Sequence, residues 1–249
     1  MNPLIAGDVF TQAFQFIGRN GQIPGDPPLP SLVHYTVETL KIAGIGVGLS
    51  ILIALPIGIW LGHIHKGSFV AINLGNIARA LPSLAILAFG VAILGIGLAN
   101  VELALIVLAV PPVITNAYAA IDGVDRDIVD AARGMGLSEW QILRDVEFPL
   151  GIPLIFAGIR TAALFVVSTT TIAALTGYSG SLGEIISNEA SYHESGVLGA
   201  AICIAALALL VEAVLATVQR MLTPRGVRLE DVKEGRDEVS LAPLVTNTQ

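Results

Sequence analysis

The chain has 249 residues, of which 54% are hydrophobic and only 13% charged, with a formal net charge of −7 and a mean hydropathy of +0.77. Soluble domains carry roughly 25% charged residues, so this composition excludes an ordinary soluble fold and points to a multi-pass membrane protein. A single cysteine, Cys203, excludes a disulfide framework or a cysteine metal site; the basic residues are spread along the chain rather than gathered in a patch, so no nucleic-acid partner is indicated.

The first residues lack a basic n-region and carry Asp8 ahead of the apolar part, which is not the pattern of a cleaved signal peptide. Val9, Phe10, Ala13, Phe14, Phe16 and Ile17 recur at near-helical spacing, which predicts a short amphipathic helix in the membrane interface, with an unstructured leader as the alternative. The run Pro24-Gly25-Asp26-Pro27-Pro28-Leu29-Pro30 forbids its continuation. Five apolar segments then reach the roughly 20 residues that a helix needs to cross the hydrocarbon core: 37–61, 70–94, 103–120, 154–175 and 197–218.

Pro56, Pro82 and the Pro111-Pro112 pair interrupt these segments, with Ser83, Thr115 and Asn116 placed to satisfy freed carbonyls. Gly44 with Gly48, and Gly58 with Gly62, have the spacing that lets membrane helices approach closely. His63 and His65 are two apart and point in different directions on a helix, a poor metal pair expected at the membrane surface beside Lys66. His34, Tyr192 and His193 read as interfacial too. Arg79 and Arg160 carry charge inside predicted spans, at roughly 2.5–3.5 kcal/mol each on insertion scales. Snorkelling, or a structural pair with Glu212, competes with a role in a gate. Thr169-Thr170-Thr171 reads as helix-to-helix hydrogen bonding or a polar patch on a path. The candidate pathway residues are therefore Arg79, Pro82, Ser83, Asn116, Arg160 and Thr169; no Ser/His/Asp arrangement or carboxylate pair stands out.

Between the third and fourth segments lies a polar run. Residues 127–133 predict a short helix with Ile128, Val129 and Ala132 on one side, ended by a tight turn at Gly134 and Gly136. Ser138 and Gln141 form a capping box for a second helix, Leu137 and Ile142 a hydrophobic staple, and Pro149 its stop. Two capped helices held out of the membrane are suited to being gripped by a partner. Lysine and arginine are retained on the cytoplasmic side. With the N-terminus outside, Lys66, Arg126, Arg133, Arg144, Arg220, Arg225, Arg228, Lys233 and Arg236 fall inside against Arg19 and Lys41 outside, which places the loop in the cytoplasm.

At these residues the chain resembles the permease subunits of bacterial ABC importers, whose cytoplasmic loop carries the EAA motif: Glu-Ala-Ala, three residues, Gly, nine residues, Ile, one residue, Leu-Pro. Asp130, Ala131, Ala132, Gly136 and Pro149 fall on its positions, with Asp130 standing for Glu, Val146 for Ile and Phe148 for Leu. The resemblance implies an all-α polytopic membrane protein of the MetI-like permease core. That core has five transmembrane helices, an outside N-terminus and a cytoplasmic C-terminus. It assigns coupling to the ATPase to Asp130, Ala131, Ala132, Gly134, Gly136 and Pro149. The implied partners are an ATP-binding subunit in two copies, a second permease of the same or a homologous chain, an extracytoplasmic substrate-binding protein and the bilayer of the bacterial inner membrane. ATP and Mg belong to the partner ATPase. This chain has no Gly-Lys of a P-loop, since Lys41, Lys66 and Lys233 follow Leu40, His65 and Val232, so it is not expected to be an enzyme or to bind a cofactor.

Over about 36–222 the chain resembles permeases of osmoprotectant importers, those for glycine betaine, carnitine, choline or related quaternary amines. The stretches that carry this are Ala80-Leu81-Pro82-Ser83-Leu84-Ala85, Pro112-Val113-Ile114-Thr115-Asn116-Ala117-Tyr118, Ala132-Arg133-Gly134-Met135-Gly136 and Ala157-Gly158-Ile159-Arg160-Thr161-Ala162. One departure is Tyr178-Ser179-Gly180-Ser181-Leu182-Gly183-Glu184, where the family has Gly-Ala-Gly-Gly-Leu-Gly-Asp. The implied division is an N-terminal extracytoplasmic or interfacial segment 1–33, a permease domain 34–222 with its coupling loop at about 122–149, and a polar tail 223–249, too short for a fused binding domain. The rival readings are a gradient-driven secondary transporter, for which an inverted repeat is expected and none is evident, and a membrane scaffold.

Overall fold

The computed structural model describes residues 3–24 and 29–224, and every regular element among them is helical. In chain order these are α1 (Pro3–Gly18), α2 (Leu32–His63), α3 (Ser68–Ala80), α4 (Ser83–Leu94), α5 (Leu98–Asp122), α6 (Arg126–Gly134), α7 (Glu139–Ile142), a π turn (Leu143–Glu147), α8 (Phe148–Ile172), a 3-10 turn (Ala173–Thr176), α9 (Gly183–Ser187) and α10 (Glu189–Leu222). Four stretches among the described residues are long and apolar enough to cross a membrane: α2, α5, the run Glu139–Thr176 and α10. The remaining expected span, 70–94, is divided into α3 and α4, of 13 and 12 residues. Pro82 stands at the N-cap of α4 in extended backbone, with ψ 121. Proline disfavours helix in the residue before it and offers no N–H, so the expected interruption is a full break rather than a kink.

α5 is the spine, packed most extensively against α2 and α8. Lipid tails are as apolar as side chains, so membrane helices gain little from hydrophobic segregation and hold together by close packing. Gly58 and Gly62 supply that closeness. A Cβ on Gly58 would lie 2.7 Å from Ala117 Cβ and 2.9 Å from the Ile114 carbonyl; one on Gly62 would lie 2.8 Å from both Ile121 Cβ and the Tyr118 carbonyl. α8 meets α5 in the same way at Gly158, 2.8 Å from the Pro112 carbonyl. Gly44 and Gly48, the other pair of that spacing, face open space. The buried stripe of α2 runs through Gly46, Ser50, Ala54, Gly58 and Gly62, and a residue two positions off this i, i+4 row points away. Leu87, Val101, Leu105, Val113 and Val166 fill the core around the spine.

Thr115 and Asn116 do not serve the carbonyls that prolines 111 and 112 free, which are those of Val107 and Leu108. Thr115 donates across to the Ala71 carbonyl of α3 at 2.8 Å, and Asn116 donates to Pro112 of its own helix at 2.8 Å. The N-terminal amphipathic helix forms, but α10 covers its buried stripe. Phe16 is buried, stands edge-on to Tyr192 with ring centroids 6.4 Å apart, and fills the space at Gly199. Phe10 and Phe14 face outward. Residues 25–28 of the proline run, and Arg225, Arg228, Lys233 and Arg236 of the tail, lie outside the described residues.

Gly58→Leu should destabilise the α2–α5 contact by about 1–3 kcal/mol, the usual cost of forcing volume into a packed interface, whereas Gly48→Leu should leave stability unchanged. Thermal unfolding of the detergent-solubilised chain, followed by dye labelling of the lone Cys203, checks both.

Candidate functional site

The loop between α5 and α8 is built from its caps. Asp125 caps α6, its carboxylate accepting from the Asp127 N–H at 2.9 Å. At the other end Leu137 N donates to Ala132 O at 3.3 Å and Gly136 N to Arg133 O at 3.0 Å, the paired closing bonds of a Schellman turn. That turn requires the left-handed backbone of Gly136, φ +88°. Gly134 stays inside the helix. Ser138 and Gln141 form the expected capping box, and Leu137 packs with Ile142.

Two expectations are corrected. Ile128 does not join Val129 and Ala132 in the small core of α6 and α7; it is 47% exposed, being turned 100° from Val129. Pro149 does not stop the second helix. α7 passes through the π turn straight into α8, and Pro149 sits in the first turn of α8. A proline ring collides with the carbonyl four residues back, and a π turn, which widens the helix locally, accommodates it here without a break. The projecting helix and the following span are thus one continuous rod.

The motif residues divide by exposure. Asp130, Ala131, Gly134 and Gly136 are exposed beside Ile128 and Met135, Ala132 is buried, and Pro149 is half-buried. A chain of polar contacts runs inward from this surface. Arg133 holds Asp130 at 2.8 Å and grips both oxygens of Glu139 at 2.9 and 3.1 Å; the hydrogen bond to Glu139 is the main reason its pKa is raised further. Glu139 lies 3.9 Å from His63 Nε2 at the end of α2. His63 Nδ1 lies 2.6 Å from Glu147 Oε2, and Glu147 is only 1% exposed. His65 makes a separate pair, its Nδ1 2.7 Å from Asp122 at the end of α5. The two histidines point to different partners, as their spacing predicts, and His63 at the end of α2 is turned in against Glu147. Glu147, an acid flanked by Val146 and Phe148 at the start of the apolar α8 segment, was the signal that a partner had to come from elsewhere.

The candidate pathway residues spend their contacts on different neighbours. Arg160 Nε donates to Glu212 Oε1 at 2.8 Å, a second guanidinium nitrogen also meets Glu212, and the third donates to Gln219 at 3.1 Å, which ties α8 to α10. Asn116 packs on Gly158. Thr169 is buried within α8, while the Thr170 and Thr171 hydroxyls return to their own helix at Val166 and Val167 rather than crossing to another. Pro82 lines a mostly apolar groove of about 470 Å3 between α4 and α5, with Phe89, Ile93 and Asn100; Ser83 is half-buried beside it. Arg79 lies in α3, with its side chain outside what is described. In the loop that departs from the glycine-rich pattern, Ser181 is buried and donates to the Thr170 carbonyl at 3.1 Å, while Leu182 N donates to Thr39 at 2.9 Å. Glu102 was missed. Both its carboxylate oxygens are covered with no hydrogen-bond partner among the described residues, and it lay one residue outside the predicted span, whose helix in fact begins at Leu98.

A bundle with helices long and apolar enough to cross a membrane, carrying an exposed, doubly capped helix pair in line with one of them, has the architecture of a polytopic permease with a projecting loop. The chain belongs to the family of binding-protein-dependent transport system inner membrane components, whose model matches residues 54–227, and is therefore the permease subunit of an ABC importer. It is 38% identical over 204 residues to the glycine betaine/carnitine/choline transport system permease protein OpuCB of Bacillus subtilis, covering 82% of this chain and 93% of that one. It is 36% identical over 206 residues to the carnitine transport permease protein OpuCB of Listeria monocytogenes, with 82% and 93% covered. Among solved structures, an inward-facing MetNI methionine ABC transporter superposes with a TM-score of 0.66 at 23% identity, over 78% of this chain and 96% of that one, a likeness of fold.

Arg160→Met should destabilise the chain, because it leaves the Glu212 carboxylate uncompensated in the bundle. Glu212→Gln added to it should recover part of the loss. A double-mutant cycle on thermal stability measures this coupling; additive effects would make the ion pair incidental.

Proposed function

We propose that this chain conducts an osmoprotectant quaternary amine, such as glycine betaine, carnitine or choline, into the cell, and that ATP hydrolysis on a separate subunit drives it by alternating access. The observation that carries the reading is the EAA-type loop, folded as two capped helices with Asp130, Ala131, Gly134 and Gly136 exposed on its outer surface; Ala132 and Pro149 shape that surface from beneath. Each of two ATP-binding subunits seats on one such loop, and two permease chains, identical or homologous, enclose the path.

The excess of lysine and arginine on the loop side sets that side in the cytoplasm and the N-terminus outside. α3 and α4 together count as a fifth, broken crossing, since their 25 residues reach about 37 Å at 1.5 Å per residue. Pro82 and Ser83 at this break, with Asn116 of α5 and Thr169 of α8, remain the candidates for the path, with Arg79 and Arg160 as gate candidates. The substrate cation has no N–H to donate, so an extracytoplasmic binding protein selects it through aromatic faces, and the permease need not hold it tightly.

Gly136→Trp forces a bulky residue into a left-handed conformation that only glycine adopts freely, and Ala131→Glu puts a charge on the docking surface. Both variants should insert and assemble as permeases. Both should lose stoichiometric co-purification of the ATP-binding subunit and nearly all uptake of radiolabelled glycine betaine, choline and carnitine. Uptake that persists without any ATPase, driven by an ion gradient, would replace this reading with that of a secondary transporter.

A further inference from the structure

The end of α2 and the turn that follows it are held at two points. His65 reaches Asp122 at the end of α5, and His63 reaches Glu147, 84 residues further along the chain, at 2.6 Å. Glu147 closes the π turn between the projecting helix and the α8 span, and it is almost fully buried. A carboxylate sealed from water is costly unless a donor meets it, and a hydrogen bond to an ionised partner is the strong kind. His63 is that donor. Its other nitrogen faces Glu139, at the opposite end of the same nine-residue stretch, and Glu139 is gripped by Arg133, which also holds Asp130. The backbone supports the placement, since Gly62, one residue earlier, fixes α2 against Ile121 and Tyr118 of α5.

We infer that His63 is a positioning residue for coupling: through Glu147 it straps the end of α2 to the coupling rod, so that a displacement of α6 and α7 moves α2 and α8 as one body, and the contact stays closed throughout the transport cycle. The inference rests on the importer reading above. It extends coupling from the projecting loop to a helix outside it, at a residue pair that the motif does not include.

The experiment uses the whole importer, with its ATPase and binding protein, in lipid nanodiscs and proteoliposomes, and reads substrate moved per ATP hydrolysed. His63→Leu, which keeps bulk but removes the donor, should lower that ratio about tenfold, the scale of a lost hydrogen bond to a buried charge, while stimulated ATP hydrolysis persists. His63→Gln, which can still donate to Glu147, should recover much of the ratio. A merely stabilising role would reduce yield and thermal stability and leave the ratio unchanged, and that result would overturn the proposal. Independently, the H63C/E147C double substitution bridged by a short bifunctional thiol reagent should still transport if the contact never opens. Arrest by the bridge, relieved on its cleavage, would overturn the closed-strap reading. An unmodified importer that moves no quaternary amine, or recruits no ATPase, would instead refute the underlying function.

Discussion

Helices in a bilayer are not squeezed together by water, so the structure depends on how closely backbones can approach. Here that approach is concentrated on α5. Gly58 and Gly62 bring α2 onto one side of it and Gly158 brings α8 onto another, with carbonyls and methyl groups of α5 filling the space that side chains would take. Everything polar follows from this registration. With α2 fixed at its final turns, His63 and, just beyond the helix, His65 arrive beside Glu147 and Asp122; with α8 fixed at Gly158, the π turn and the projecting helices are aimed from a rigid base.

The periphery is secured by different means. α10 is the least enclosed of the spans, and its attachment relies on polar contacts where apolar burial is thin. Arg160 joins Glu212 and Gln219, and Gln219 reaches back to the Pro153 carbonyl at 3.4 Å. At the other end Tyr192 pairs with Tyr35 at 3.2 Å and with Phe16, so that α1, α2 and α10 share one cluster. Ser181 and Leu182 fasten the intervening loop to α8 and α2. A hydroxyl that replaces a family glycine there has been put to use as a backbone clasp.

Much of this was legible from local chemistry. The capping box at Ser138, the glycine turn at Gly136 and the interruption at Pro82 each follow from rules that act within a few residues, and each appears where the sequence places it. What escaped was set by longer range. Pro149 reads as a stop until the preceding helix is allowed to widen. Ile128 and Val129 are neighbours in sequence but stand 100° apart in a helix of only nine residues. The His63–Glu147 contact joins residues 84 apart, which no periodicity encodes; only an acid flanked by Val146 and Phe148 hints at it. Glu102 was lost to a boundary, since the apolar count begins at Leu103 while the helix begins at Leu98.

The unbroken run Glu139–Thr176, 38 residues long, is about 57 Å of helix at 1.5 Å per residue. A rod of that length with no break between its projecting end and its far end behaves as a lever, in which a small sideways push at one end becomes a tilt of the whole span. Compliance must then reside in other members of the bundle. The two evident places are the interruption at Leu81-Pro82 and the irregular residue His193, at φ 57° within α10. The stiffness of one helix therefore decides which others must bend.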